Sequence, residues 1–484
     1  MENEQIIIDQ EIAEIQEVCL RPTRKWSLIT KLWIGCLLLV AGWGLYAYIY
    51  QLRGGLGVTA MRNYVSWGLY ISTFVFFIGI SHSGTLVSAI LRITKQEWRR
   101  PITRSAELLT FVSLLFGGIM PIIDLGRPDR VLNLVFFGRV QSPLMWDVIS
   151  ICTYFMGSTV FLYLPMIPDM ALCRDRLTET KTRFNKFRKW LYTKMALDWK
   201  GTKEQWHRLE KMMTIMTIII IPVAVSVHTV VSYIFAMTLR PGWNSTVFGP
   251  YFVAGALYSG SAGVILGMAA FRKFYGLHKY ITPRHFDLMG RIVLALTLIY
   301  AYLNLNEYWI PAYKMATGEG HLLKDLFYGD YSKVFWTLQF GTVMAPIVMM
   351  SIPWGRRPVP LVITCIVIVI GAWIKRYIIV VPTLLHPFMP IQEVPSDWAT
   401  YFPNWVEFSV TFGCLAGIFL VITIFSKLFP MMAVWEVTDG VVIEHDKKAA
   451  EQIRLKREAN RELTNGGTII PPENISLKPN VKLT

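Results

Sequence analysis

Residues 64–91 read YVSWGLYISTFVFFIGISHSGTLVSAIL. These 28 residues contain no Asp, Glu, Lys or Arg, and a single histidine, His82. A helix crossing the hydrocarbon core of a bilayer needs about 20 mostly apolar residues, so this stretch is long enough to span one. Nine more runs of the same kind lie near 27–50, 105–124, 142–167, 212–238, 248–271, 285–310, 334–353, 360–382 and 405–426. The composition agrees. Of 484 residues, 53% are hydrophobic and only 17% charged, where a soluble domain is near one quarter charged. The expected fold class is an all-α integral membrane protein of about ten transmembrane helices. The run at 27–50 does not read as a secretory signal, because the segment ahead of it opens acidic (Glu2, Glu4, Asp9, Glu11, Glu14, Glu17) rather than basic. Residues 1–26 are therefore expected to be a short cytoplasmic segment with the pattern of an amphipathic helix.

The charges set the orientation. Lys and Arg number 48 against 33 Asp and Glu, a net charge of +15. With the N-terminus placed in the cytoplasm, one set of loops (1–31, 92–104, 168–211, 272–284, 354–359, 427–484) carries 36 basic residues and the opposite set carries 9. Positive residues are retained on the cytoplasmic side. Both termini are thus expected to be cytoplasmic, in a bacterial inner membrane. Arg291, Lys375 and Arg376 are the basic residues left inside spans. The positive excess is a topology signal, and no nucleic-acid partner is needed to explain it. The six cysteines (Cys19, Cys36, Cys152, Cys173, Cys365, Cys414) show no CxxC, CxxCH or zinc-ligand spacing. No haem, iron–sulfur or metal ligands are expected in this chain.

An internal repeat organises the spans. Residues 81–125 align without gaps on 261–305, with polar identities at Ser81/Ser261, Arg92/Arg272 and Arg104/Arg284. Glu107 falls on Asp287, and Asp124 on Asn304. Two tandem four-helix bundles are expected, over 62–238 (spans 2–5, with a cytoplasmic loop 168–211) and 248–382 (spans 6–9). Single spans at 27–50 and 405–426 flank them, and a cytoplasmic tail follows over 427–484. Residues 446–464 are charged and helix-prone, and 465–484 read as extended and partner-bound or disordered. Basic and aromatic residues alternate over 172–210 (Arg183, Phe184, Lys186, Phe187, Arg188, Trp190), a pattern suited to anionic lipid.

Polar groups in hydrocarbon are costly and mark function. Asn63 and Trp67 open span 2, Asp124 closes span 3, Trp146 and Asp147 open span 4, and His228 lies in span 5. Counted from the span ends, these share the outer half of the first bundle, with Arg127 and Arg130 in the adjoining loop. Aromatic faces, carboxylates and an imidazole at one depth suit a quinone head, whose hydroxyls need hydrogen-bond partners and whose oxidation releases two protons. His82 and Glu107 fall deeper, toward the cytoplasm. Each group also has a plainer role open to it. Trp67 and Trp146 suit an interfacial belt, Asp124 can pair with Arg127, the two histidines can be satisfied bundle residues, and Glu107 can pair with Arg104. In the second bundle, Glu307 is expected to pair with Lys375 or Arg376, or to serve ion or proton passage.

The order of these motifs resembles the NrfD/PsrC family of quinone-interacting membrane subunits. The resemblance rests on Asp124-Leu125-Gly126-Arg127, His228-Thr229-Val230 and Lys375–Pro382 (KRYIIVVP). The flanking spans and Asn306-Glu307-Tyr308-Trp309 are most similar to the ActC-type subunits of bacterial alternative complex III. The resemblance covers roughly 27–426 and implies several things. Menaquinol or another quinol is the substrate, oxidised near the periplasmic side, with Asn63, Trp67, Asp124 and Trp146 at the site. Electrons pass to a periplasmic iron–sulfur protein and c-type cytochrome subunits, beside homologous and small membrane subunits and a terminal oxidase. Proton translocation would use Glu107 and Asp287 at the cytoplasmic mouths. The chain is then a subunit of an enzyme and not catalytic alone. Three other classes compete with this reading: a quinone-reducing anchor of a polysulfide- or nitrite-type molybdoenzyme or iron–sulfur reductase, an ion or solute transporter, and a non-catalytic anchor.

Overall fold

The computed structural model describes residues 2–24, 26–177, 182–389 and 391–464. Ten of its helices are long and apolar enough to cross a membrane. They are span 1 (Leu28–Gly54), span 2 (Leu69–Ile93), span 3 (Thr103–Asp124), span 4 (Pro143–Arg176) and span 5 (Lys203–Ala236), followed by span 6 (Phe248–Phe274), span 7 (Pro283–Lys314), span 8 (Ser332–Ser351), span 9 (Pro358–Leu385) and span 10 (Trp405–Leu428). No strand occurs among the described residues. The all-helical result follows from the solvent: lipid offers the backbone no hydrogen-bond partners, so each span satisfies its own.

Spans 2, 3, 4 and 5 pack in a closed ring, and spans 6, 7, 8 and 9 form a second. Span 2 against span 6 is the central seam, bordered by contacts of span 5 with span 6 and of span 2 with span 9. Small residues permit the seam. A Cβ on Gly260 would lie 2.7 Å from the Ile80 carbonyl oxygen, and Ser83 Oγ donates to the Leu257 carbonyl at 2.6 Å. This position makes span 2 the most enclosed span, 94% buried, whereas span 1 is 11% buried. Span 1 packs on span 10, where Trp43 Nε1 donates to Ser409 Oγ at 2.9 Å and Trp33 Nε1 to Thr423 Oγ1 at 3.2 Å.

One end of the bundle, here the basic face, carries the N-terminal and tail helices outside the membrane, and the helix Thr317–Phe327 between spans 7 and 8 lies at the other end. The N-terminal helix Glu2–Arg24 packs against the tail helix Val434–Thr464, and His445 Nε2 lies 3.2 Å from Glu11 Oε2. Between spans 4 and 5, Arg183–Met195 folds as a helix of its own. Thr182 caps that helix by accepting from the Asn185 amide, and Thr202 and Gln205 form a capping box that starts span 5. The expectation for 465–484 lies outside the described residues.

Three local expectations are corrected. Span 2 begins at Leu69, so Asn63 and Trp67 sit in the loop ahead of it. Glu407 holds that loop, accepting from the Ala60 amide at 3.0 Å and from Tyr401 Oη. Tyr401 Oη in turn accepts from the Leu69 amide at 2.8 Å. Arg104 does not pair with Glu107. Its guanidinium lies 2.5 Å from Asp169, with both side chains 1% exposed, and Glu107 accepts from Ser88 Oγ at 2.7 Å. Glu307 makes no direct ion pair with Lys375 or Arg376 among the described residues, because Ser245 Oγ donates to it at 2.5 Å while Lys375 Nζ donates to Tyr308 Oη at 2.9 Å.

Candidate functional site

The first ring concentrates polar groups that have no partner among the described residues. Buried side-chain atoms without a hydrogen bond include Asp124 Oδ1, Asp147 Oδ1, His82 Nε2 and both ring nitrogens of His228. They come from spans 2, 3, 4 and 5, one contribution from each. Leaving a buried polar atom unmatched costs about 1–3 kcal/mol, so a feature found on all four helices of one ring singles these residues out as candidates.

The two histidines sit side by side, with ring centroids 4.6 Å apart. The expectation that His82 lies deeper than His228 is therefore wrong. Helix ends do not share a plane, so counting from span ends misjudges relative height. His82 Nδ1 lies 2.6 Å from the Ile78 carbonyl, and its ring is 4.9 Å from Tyr154. Tyr154 Oη donates to the Ser81 carbonyl at 3.2 Å. Tyr154 is absent from the sequence-derived candidates, although Asp147, Tyr154 and Ser158 share one stripe of span 4 and all are buried. On its other side His228 faces Phe252 of span 6 at 5.9 Å, and the Arg376 guanidinium of span 9 stands 4.7 Å over that phenyl ring. A chain of ring contacts thus runs from the first ring of helices into the second.

Asp124 belongs to a different neighbourhood. It lies within the field of Glu407 and of Tyr70. Tyr70 Oη donates to Gln51 Oε1 at 2.6 Å, and Gln51 donates to the Ile123 carbonyl at 3.1 Å. Arg127 pairs with Asp129 at 3.0 Å and not with Asp124; that hydrogen bond holds the exposed Asp129 carboxyl below its ordinary value. Trp146 is half-buried and donates to the Val140 carbonyl. Trp67 stacks on Trp243 at 6.2 Å, edge-on to Phe235 at 5.6 Å. Asn63 and Arg130 are exposed.

The second ring holds a linked polar set. Tyr251 Oη donates to Asn304 Oδ1 at 3.3 Å, and Asn304 Nδ2 to Gln339 Oε1 at 2.6 Å. A cavity of about 30 Å³ opens beside Trp243, Tyr251, Glu307, Tyr308 and Glu319. Glu319 is a further residue that spacing does not reveal; it is 6% exposed, and its Oε2 has no partner among the described residues. Asp287 is a third exposed and bridges Arg291 and Arg356 at 2.8 and 2.7 Å, which accounts for the basic residue left in span 7. Among the described residues no group of three or more His, Cys, Asp or Glu side chains is gathered as a metal site.

The family model described as "Polysulphide reductase, NrfD" matches residues 57–387, which takes in both rings. The chain belongs to the NrfD family. Its relatives share most of their length with it. A selenate reductase subunit of Mesobacillus selenatarsenatis is 25% identical over 84% of this chain and 95% of that protein. A putative dimethyl sulfoxide reductase membrane subunit of Halobacterium salinarum is 28% identical over 79% and 87%. The integral membrane subunit of a menaquinone reductase from Nitratidesulfovibrio vulgaris is 24% identical over 83% and 91%. This NrfD protein is thus similar to membrane subunits of redox complexes. The family match stops at 387, short of span 10, and begins after span 1.

Proposed function

We propose that this NrfD protein is the quinone-reactive membrane subunit of a respiratory oxidoreductase, and that it oxidises menaquinol or a related quinol in the first ring. The observation that carries the reading is the set of buried, unpartnered atoms of Asp124, Asp147, His82 and His228, one from each helix of that ring. Oxidation of the quinol to the quinone releases two electrons and two protons. The Asp124 carboxylate takes one hydroxyl proton at the end of span 3. The other passes on to the His228–His82 pair, which lies about 18 Å along span 2 from Tyr70, the neighbour of Asp124, and so receives it by onward transfer and not from the same head group. Trp67 and Trp146 offer flat faces for the head group, Asp147 a second acceptor, and Asn63, Arg127 and Arg130 line the loops that a docked partner would meet. The electrons pass to a periplasmic iron–sulfur or c-haem partner, since the bias of 36 basic residues against 9 makes the basic face cytoplasmic.

Two finer assignments belong to the same proposal. The flanking spans 1 and 10 favour an alternative-complex-III-type assembly, in which Glu107, Asp287, Glu307, Lys375 and Arg376 serve proton translocation. The relative called a menaquinone reductase supports a second reading, with electron flow reversed and quinone reduced by an iron–sulfur partner. The test is Asp124→Asn in the purified complex, with reduction of the co-purifying haem or iron–sulfur centres by a menaquinol analogue followed optically. Loss of a proton acceptor in the reacting step costs about a hundredfold or more. Full activity in an intact Asp124→Asn complex removes Asp124 from the mechanism. Oxidation of reduced centres by added menaquinone, without the forward reaction, selects the reversed reading.

A further inference from the structure

The helix Arg183–Met195 (RFNKFRKWLYTKM) carries basic residues and no acidic one. Its neighbours fix it at the level where the spans end. Tyr192 Oη donates to the carbonyl of Leu428, the last residue of span 10, at 2.5 Å. Tyr163 Oη of span 4 donates to the Met195 carbonyl at 2.7 Å. The Phe184 ring meets Trp26 edge-on at 6.1 Å, two residues before span 1 begins. The helix therefore lies across the basic-face ends of spans 1, 4 and 10.

At 3.6 residues per turn its surface divides into three sectors. Arg188 and Tyr192 form the buried one, against the protein. Phe184, Phe187 and Trp190 form the second and are 44%, 50% and 57% exposed. Lys186, Lys189 and Thr193 form the third and are exposed, and Arg183, exposed in the first turn, falls on the aromatic side between Phe187 and Trp190. Aromatic rings beside the first turn of a membrane span, flanked by a row of ammonium groups, match the two halves of a lipid boundary: acyl chain on one side, phosphate on the other. Leu28 and Ile29, two and three residues after Trp26 in the first turn of span 1, are 71% and 77% exposed.

We infer that this helix is an anionic-phospholipid binding shelf, with Arg183, Lys186 and Lys189 taking the lipid phosphate and Phe184, Phe187 and Trp190 its proximal acyl chain. The occupant follows from charge complementarity. A zwitterionic lipid satisfies the aromatic sector but leaves the basic row without a counter-charge, and an acidic protein surface leaves the aromatic sector in water. The inference stands apart from the quinol reading, because the shelf is on the opposite end of the bundle from Asp124.

The test uses the purified full complex in nanodiscs of phosphatidylcholine with phosphatidylglycerol, followed by native mass spectrometry of retained lipid. The variant Arg183→Gln/Lys186→Gln/Lys189→Gln is compared with Lys200→Gln/Lys203→Gln/Lys211→Gln, which removes the same charge from the adjacent exposed segment. Each cation near an anionic surface is worth about fivefold in binding, so the first variant should retain phosphatidylglycerol about a hundredfold more weakly. The second should match the unmodified complex. Equal retention in all three overturns the inference, as does chemical cross-linking of Lys186 or Lys189 to another protein of the complex. A uniform loss in both variants shows only bulk charge and overturns it too.

Discussion

Arg104 and Asp169 show what a single buried pair is asked to do. The guanidinium also donates to the carbonyls of Pro165, Pro430 and Met432, while Asp169 accepts from the amides of Val434 and Trp435. The pair therefore ties spans 3 and 4 to the start of the tail helix. Removing one partner of a buried ion pair strands the other and costs about 3–5 kcal/mol. Arg104→Met and Asp169→Asn should each destabilise by that amount in equilibrium unfolding in mixed micelles. The double variant should cost less than the two single costs combined, because the second change removes the stranded charge. A strictly additive double variant would show that the pair has no coupling. At this scale the sequence is readable in part. That Glu107, Asp124, His82 and His228 are candidates is visible from their expense at membrane depth, and Arg104 from its match with Arg284 in the repeat. Their partners are not, because Asp169 reaches Arg104 from 65 residues away and Glu407 reaches Ala60 from 347, and local spacing carries no trace of such contacts.

The elements are far more legible than the contacts. Ten spans follow from length and hydropathy, both properties of a run of residues taken alone. Hydropathy starts span 2 too early because apolar character continues through Tyr64 and Val65, while the helix is held off until Leu69 by Tyr401 and Glu407. The π-helical turn Gln339–Met344 in span 8 leaves no composition signal. The pairing of spans 1 and 10 rests on a backbone approach. A Cβ on Gly44 would lie 2.7 Å from Gly413 Cα and 2.8 Å from the Ser409 carbonyl oxygen. Gly44→Val should push span 1 off span 10, abolishing a disulfide engineered between residues 43 and 409. Undiminished cross-linking in that variant would show that the contact tolerates a side chain.

Across the whole molecule, the rings differ in chemistry while sharing an outline. Asp124 is matched by Asn304 and His82 by Ala262, so the second ring lacks these two groups and instead links Tyr251, Asn304 and Gln339, with Glu307 and Glu319 buried beside them. The basic face ties the first ring to the tail helix. Glu436, 2% exposed, bridges Arg92 at 2.5 Å and Arg99 at 2.9 Å. Burial alone would raise its pKa, but the two guanidiniums outweigh burial and hold it below the ordinary value of 4.5. A depressed carboxyl contributes stability that is complete above its unfolded-state value and is lost as pH falls through its folded-state value. Hydrogen exchange at residues 434–440 should stay slow from neutral pH down to the ordinary glutamate range and accelerate below it. Glu436→Gln should exchange fast at every pH. Slow exchange in that variant would assign the clamp to Arg104 and Asp169 alone.

The loose hold on span 1 has a consequence in time. Trp43 and its partner Ser409 are 366 residues apart, and a ribosome adding about 5–20 residues per second needs roughly 20–70 s to cover that distance. For that interval span 1 waits in the bilayer with its Gly44 face bare. Span 10 is the span that seats span 1, so the contact between them closes only after span 10 has inserted.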